Sequence, residues 1–272
     1  MSGNGELRVA IGGFGAIGKK VAEALDRGLP GLRLAAVSAR DRGRAEAEMA
    51  GFAHPAPVVG LSELAELGDV VIECAPAAVL REIAVPALAR GRRLVVLSCG
   101  ALLDNFDLIE LAREGGGCIH VPTGALLGLD AVAAAAEGGI AAVTMITRKP
   151  PNGLAGAPYL VEHDIDVSGL NAAKRVFAGT AREAARGFPA NVNVAAALAL
   201  AGVGPDRTMV EIWADPGITR NTHRIEVEAE AARFSMQIEG VPSLENPRTG
   251  RLTPLSVVAL LKKLTTPLLI GT

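Results

Sequence analysis

Gly13, Gly15 and Gly18 form G-x-G-x-x-G inside VAIGGFGAIGKKVAEAL, after an apolar run and at the start of an apolar-periodic stretch. Glycine is costly inside helices and strands, so this clustering marks a backbone shape that side chains forbid. The first glycine allows a tight turn, the second lets a pyrophosphate approach the backbone, and the third lets the helix pack on the strand. The N–H groups of Ala16 and Ile17, at the start of that helix, then face the phosphates. The context predicts a dinucleotide site, against the plainer reading of a glycine-rich strand–helix turn.

The residues after the second apolar run select the dinucleotide. An acid about 20 residues past the loop holds the ribose 2′-OH of NAD. Here AAVSARDRGR places Ser38 or Ala39 at that position, followed by Arg40. A small polar group beside a guanidinium suits a 2′-phosphate, since arginine offers phosphate a fork of donors. NADP is favoured, NAD is retained as the other choice, and Asp41, one or two positions late, could still reach a 2′-OH. The competing role for Arg40 is a solvated side chain at the sheet edge.

Chemistry on a substrate asks for a proton-handling group. Of the four histidines, His54 lies in a loop, His120 at a strand end and His163 in an acidic turn. In NTHRIEVEAEA, alternation puts Arg224, Glu226, Glu228 and Glu230 on one face, and His223, Ile225, Val227 and Ala229 on the covered one. A desolvated imidazole at the mouth of that face suits general acid–base work; a satisfied core histidine is the rival reading. Lys149, ending the run AAVTMITRKPP, could offer charge to a carboxylate, where a solvated lysine is the ordinary outcome. In FPANVNVAAALALAG, Asn191 is a natural helix N-cap. Asn193 then falls in the first turn, where its amide could bond a ligand. Cys99 in LSCGAL reads as a small buried residue at a strand end rather than a nucleophile.

The elements that must position these groups divide the chain. Apolar runs at Leu7–Ile11, Leu32–Val37, Asp69–Glu73, Arg93–Leu97 and Cys118–Val121 alternate with helical stretches near Ala16–Arg27, Arg42–Gly51, Ala77–Arg90 and Asn105–Glu114. Strands apolar throughout, separated by helices, predict an α/β doubly wound parallel sheet. After VPTGALLGLD the pattern changes. A helix over Ala125–Glu137 precedes the strand ending at TRKPP, and two helices break at Phe188–Pro189. RTMVEIWAD, TRNTHRIEVEAEA and ARFSMQIEG then alternate with period two, predicting antiparallel strands with one covered face. A last helix within Thr253–Leu269 returns to the first part. The expected division is a dinucleotide-binding domain over 1–121, completed by 246–272, around an inserted α+β substrate and dimerisation domain over 122–245.

Composition excludes several classes. The net charge of −2 gives no electrostatic case for nucleic acid or an anionic membrane, and 3% aromatic residues supply no base-stacking platform. Cys74, Cys99 and Cys118 are widely spaced without CxxC, so neither a metal cluster nor a disulfide framework is expected. No secretory leader and no run of about 18 apolar residues is evident, so the chain reads as cytoplasmic.

Seven segments, IGGFGAIG, VVIECAP, VPTGALLGLDAV, TRKPP, FPANVNVAAALALAG, TRNTHRIEVEAE and VPSLENPRTGRLTPLSVVALL, together resemble the L-aspartate dehydrogenase family over nearly the whole chain. The resemblance implies an N-terminal Rossmann domain, an inserted domain that builds the substrate pocket and a homodimer contact, and NAD(P)-dependent oxidation of L-aspartate through iminoaspartate to oxaloacetate and ammonia. Iminoaspartate can alternatively feed NAD biosynthesis. The resemblance places the catalytic histidine at His223, the nicotinamide-side asparagine at Asn193, and further cofactor contacts at Ala75, Gly124 and Ala125. In the mechanism that follows, Lys149 and the N–H groups at a helix start at Asn191 are the candidates to hold the two substrate carboxylates. The departure is at Ser38–Arg40, where an NAD-preferring member would carry an acid. Two rival readings are another imine or carbonyl reductase of this architecture and a non-catalytic dinucleotide sensor.

Overall fold

In the computed structural model, which describes residues 5–189, 192–243 and 250–271, the five early apolar runs become β1 (Leu7–Gly12), β2 (Leu32–Ser38), β3 (Val70–Glu73), β4 (Arg93–Val96) and β5 (Cys118–His120). They lie in the order β2-β1-β3-β4-β5, every pair parallel. Parallel neighbours need crossovers, supplied here by α1 (Ala16–Asp26), α2 (Arg42–Met49), α3 (Leu64–Leu67), α4 (Leu80–Ala89), α5 (Cys99–Leu102) and α6 (Asp107–Gly115). Because helices cover such a sheet on both faces, all four residues of β3 are buried. The chain leaves β1 for β2 on one side and returns to β3 on the other. That reversal opens a crevice beyond the carboxyl ends of β1 and β3, where ligands of this architecture bind.

The second sheet contains β6 (Ile140–Lys149), β7 (Lys174–Thr180), β8 (Thr208–Ala214), β9 (Thr222–Ala229) and β10 (Arg233–Glu239), in the order β10-β9-β6-β8-β7. Its helices are α7 (Leu129–Glu137), α8 (Pro158–Glu162), α9 (Ala181–Gly187) and α10 (Asn193–Ala201). Ala181, Ala184, Ala195 and Leu198 from α9 and α10 share a core with Val143, Met145, Ile225 and Val227 from β6 and β9. The small alanines let the helices approach the sheet closely. Tyr159, Phe177 and Phe188 close one end of this core, with ring centroids 5.1 to 5.5 Å apart.

Three sequence expectations change here. β8 is parallel to β6 and antiparallel to β7, so only β9 and β10 form the expected antiparallel pair among the last three strands. β7 was not foreseen. The helix expected from Ala125 begins at Leu129, because Gly124 and Gly128 hold left-handed backbone (φ 63° and 66°) and turn the chain first. A Cβ on Gly128 would meet Met236 Sδ at 2.1 Å, so that turn is packed against β10.

The chain divides into Met1–Pro122 with Thr253–Leu269, and Thr123–Leu252 with Ile270–Thr272. The first junction lies one residue beyond the expected 121/122, and the return falls at Thr253 rather than 246. The final helix, α11 (Leu252–Lys263), buries Val257 and Leu261 in the core formed by Val9, Ile11 and Ile72. Each such aliphatic side chain contributes about 1.5–3 kcal/mol when fully buried. Among the described residues no helix is long and apolar enough to cross a membrane.

Candidate active site

The expected site residues fall into two sets, one per unit. In the first, β1 is followed by Gly13, whose φ of 108° only glycine adopts readily. A Cβ there would lie 2.5 Å from the Cys74 carbonyl oxygen and 2.8 Å from Ala75 N, so the turn rests directly on the backbone that follows β3. The Gly13 N–H donates to the Ser38 carbonyl at 3.0 Å, joining the ends of β1 and β2. Gly15 is the N-cap of α1, and the first helical bond runs from Lys19 N–H to Gly15 C=O at 2.9 Å. The N–H groups of Ala16, Ile17 and Gly18 precede that bond and form the partly positive helix end. Nothing lies within 4 Å of a Cβ built on Gly15, whereas one on Gly18 would meet the Gly13 carbonyl oxygen at 1.9 Å. The loop is therefore open where a pyrophosphate approaches and closed where helix meets strand, which fits a dinucleotide.

Ser38 ends β2 and is buried, while Arg40 is exposed two residues on. The Asp41 carboxylate caps α2, accepting from Arg44 N–H at 3.0 Å. Sequence reasoning missed Glu73, fully buried at the end of β3. Its carboxyl accepts from Leu97 N–H at 3.1 Å, Ser98 N–H at 2.9 Å and Ser98 Oγ–H at 2.9 Å, tying the ends of β3 and β4 together. Burial pushes this carboxyl up from the ordinary range, against those three donors. An acid closing the apolar run VVIE was the signal available.

In the second unit, β6 and β9 place Thr147 directly opposite His223. Thr147 Oγ1 lies 3.0 Å from His223 Nδ1, and the two residues are 2% and 4% exposed. Lys149, two residues along β6 and 6% exposed, shares their face. Three polar groups clustered at one end of a largely apolar sheet face are costly to bury, and such clusters mark functional sites. Beside them is a void of about 10 Å³, lined by Thr147, Lys149, Val192 and Ala195, with room for about one water.

Burial, helped by the Lys149 charge, pushes the His223 imidazole down to about 3, so the ring is neutral at physiological pH. Burial pushes the Lys149 amine down to about 8, leaving it mostly cationic at pH 7. Unfolding returns the ring to its ordinary value of 6.5. Between those values the unfolded chain binds a proton that the native ring refuses, so stability falls as pH drops from about 6.5 toward 3. Urea unfolding should therefore lose more stability between pH 7 and pH 5 in the wild type than in His223→Asn. Equal losses would show that the native ring titrates normally.

Gly124 and Ala125 sit in the turn that opens the second unit, where Leu126 N–H donates to the Thr123 carbonyl at 3.0 Å. Asn193 is the first residue of α10 and is exposed. Asn191 lies outside the described residues. Cys99 is buried with its thiol pushed up to about 12, which leaves it no nucleophilic character. His163 stacks on Tyr159 at 3.9 Å, and His54 is exposed beside Asp26.

Residues 130–264 match the aspartate dehydrogenase C-terminal family, and residues 13–122 match the NAD-binding domain of homoserine dehydrogenase. The L-aspartate dehydrogenase of Bradyrhizobium diazoefficiens is 59% identical over 98% of this chain and 95% of its own. The chain belongs to the L-aspartate dehydrogenase family. Another relative in that family, L-aspartate dehydrogenase 3 of Bordetella bronchiseptica, is 54% identical with both chains fully covered. The crystal structure of aspartate dehydrogenase from Thermotoga maritima superposes with a TM-score of 0.73, covering 98% of this chain and 100% of that one at 24% identity; the fold is shared. For this L-aspartate dehydrogenase family member, the resemblance drawn from the seven sequence segments and the α/β Rossmann class are both met.

Proposed function

We propose that the protein catalyses the reversible, NAD(P)-dependent oxidative deamination of L-aspartate, through iminoaspartate, to oxaloacetate and ammonia. Identity of 59% to an L-aspartate dehydrogenase over nearly the full length carries this reading. A bound dinucleotide would supply the acceptor for the hydride that leaves the substrate Cα. Gly13, Gly15, Ala16, Ile17, Gly18 and Ala75 would hold its pyrophosphate side, Ser38 and Arg40 its ribose, and Gly124, Ala125 and Asn193 its nicotinamide side.

His223 then works on the imine. Its free nitrogen takes a proton from the water whose oxygen bonds the imine carbon, and returns a proton to nitrogen as ammonia leaves. A neutral ring keeps a nitrogen lone pair, which the first half of that relay requires. Lys149, cationic in an apolar setting, would pair with a substrate carboxylate far more strongly than a solvated lysine. The start of α10, whose N-cap is Val192, would offer N–H groups to the second carboxylate. Ser38 followed by the exposed Arg40 favours NADP, with NAD as the second choice.

The test is nucleotide reduction, followed by nicotinamide absorbance, with L-aspartate and either NAD⁺ or NADP⁺. Aspartate-dependent reduction is expected with both, faster at low NADP⁺ concentration. Tight nucleotide binding without reduction would support a sensor, and reduction only with other amines or alcohols would support a different dehydrogenase. We also propose a cytoplasmic homodimer whose iminoaspartate can serve NAD biosynthesis. The three free cysteines suit a reducing compartment, and the uncovered face of the second sheet, with exposed Met209 and Trp213 stacked against Arg148, suits self-association. Light scattering on the same preparation separates dimer from monomer.

A further inference from the structure

The contact between Thr147 and His223 carries information about which ring nitrogen does the work. A hydroxyl can donate to Nδ1 or accept from it, and the choice fixes the other nitrogen. If Thr147 donates, the ring proton sits on Nε2, which can then only give a proton. If Thr147 accepts Nδ1–H, Nε2 keeps its lone pair. Because the buried ring is neutral at pH 7, its tautomer decides whether it is a base.

We propose that Thr147 is a positioning residue that accepts the Nδ1–H of His223 and so presents Nε2, with its lone pair, to the substrate. The proposal rests on the reading of His223 as the proton relay. Three observations support it. First, an accepting hydroxyl serves both states of the relay. When Nε2 takes a proton from water, the ring carries protons on both nitrogens, and Nδ1–H still points at Thr147 Oγ1. A donating hydroxyl would have to turn over within a nearly sealed site at every cycle. Second, β6 pairs with β9 on one side and β8 on the other, so the Thr147 backbone is fixed by two ladders. Its branched side chain then has few rotamers in which to place the hydroxyl. Third, the charged group acting on the ring is Lys149 from β6, an ammonium that accepts nothing, and the register neighbour from β10 is the apolar Ile238. Thr147 is the acceptor this face supplies to Nδ1.

The experiment is ¹⁵N NMR of the full-length protein labelled at histidine, near pH 7.5, with the His223 signals assigned by their loss in His223→Gln. The expected wild-type spectrum shows His223 protonated on Nδ1 and bare on Nε2; the opposite tautomer would overturn the proposal. Thr147→Val, close in shape but without the hydroxyl, should mix the tautomers and lower kcat about 10- to 100-fold, with KM for aspartate and nucleotide affinity little changed. Thr147→Ser should restore both. Equal loss in Val and Ser variants, or wild-type kcat in a folded Val variant, would also overturn it. The wild-type spectrum decides even if Thr147→Val fails to fold. Full turnover in His223→Ala would remove the relay reading and leave the tautomer measurement standing, so the two failures are distinguishable.

Discussion

His223→Ala should lower turnover with L-aspartate by about 10²-fold or more, the usual scale of general acid–base assistance. The ring is the one imidazole on the covered face of the second sheet among the described residues, and it faces a hydroxyl rather than an acid. Lys149, mostly protonated at neutral pH, is a poor substitute as a base, so no neighbour on that face takes over the proton. The substitution leaves the glycine loop of the other unit untouched, and nucleotide affinity should stay near wild type. Steady-state kinetics at saturating aspartate, alongside a nucleotide titration, provide the check. Turnover like that of the wild type would take His223 out of the mechanism.

The second large effect separates two glycines of one motif. A methyl on Gly18 would be driven to 1.9 Å from the Gly13 carbonyl oxygen, a backbone atom that cannot swing aside. Gly18→Ala should therefore lower the melting temperature and weaken NAD(P) binding by about 10²-fold or more, the scale of losing several charge-assisted phosphate contacts. Gly15→Ala meets nothing within 4 Å and should melt like the wild type. It should still bind nucleotide poorly, because the methyl occupies the approach of the pyrophosphate. Thermal melts paired with nucleotide titrations read both. Undiminished affinity in Gly15→Ala would mean the phosphates bind elsewhere.

The parts of this molecule legible in its sequence are those where one local rule dominates. The glycine loop is legible because its spacing demands a backbone that few other structures need. His223 is legible as a covered residue because a period of two assigns faces without knowing the neighbours. Strand pairing is different: β8 alternates in the same way whether it lies parallel or antiparallel to its neighbour, so alternation alone did not give its parallel pairing with β6. β7, KRVFAGT, is short, opens on two charges and contains a glycine, and it becomes a strand through its pairing with β8. Glu73 and Ser98, 25 residues apart, and Thr147 and His223, 76 apart, meet only once the sheets form. No pattern along the chain announces such pairs.

β2 is an edge strand of the first sheet, met on its outer side by a single bridge at Val58 among the described residues. Of the residues just past its end, Asp41 holds the next helix, while Arg40 is exposed. Exposed substitutions away from caps and cores usually change stability by less than about 0.5 kcal/mol. On the proposed assignment of Ser38 and Arg40 to the ribose and of His223 to the proton relay, cofactor preference would drift by single changes at the rim while the relay, anchored to another sheet, stays as it is. Lineages facing different redox economies would find this enzyme easy to retune.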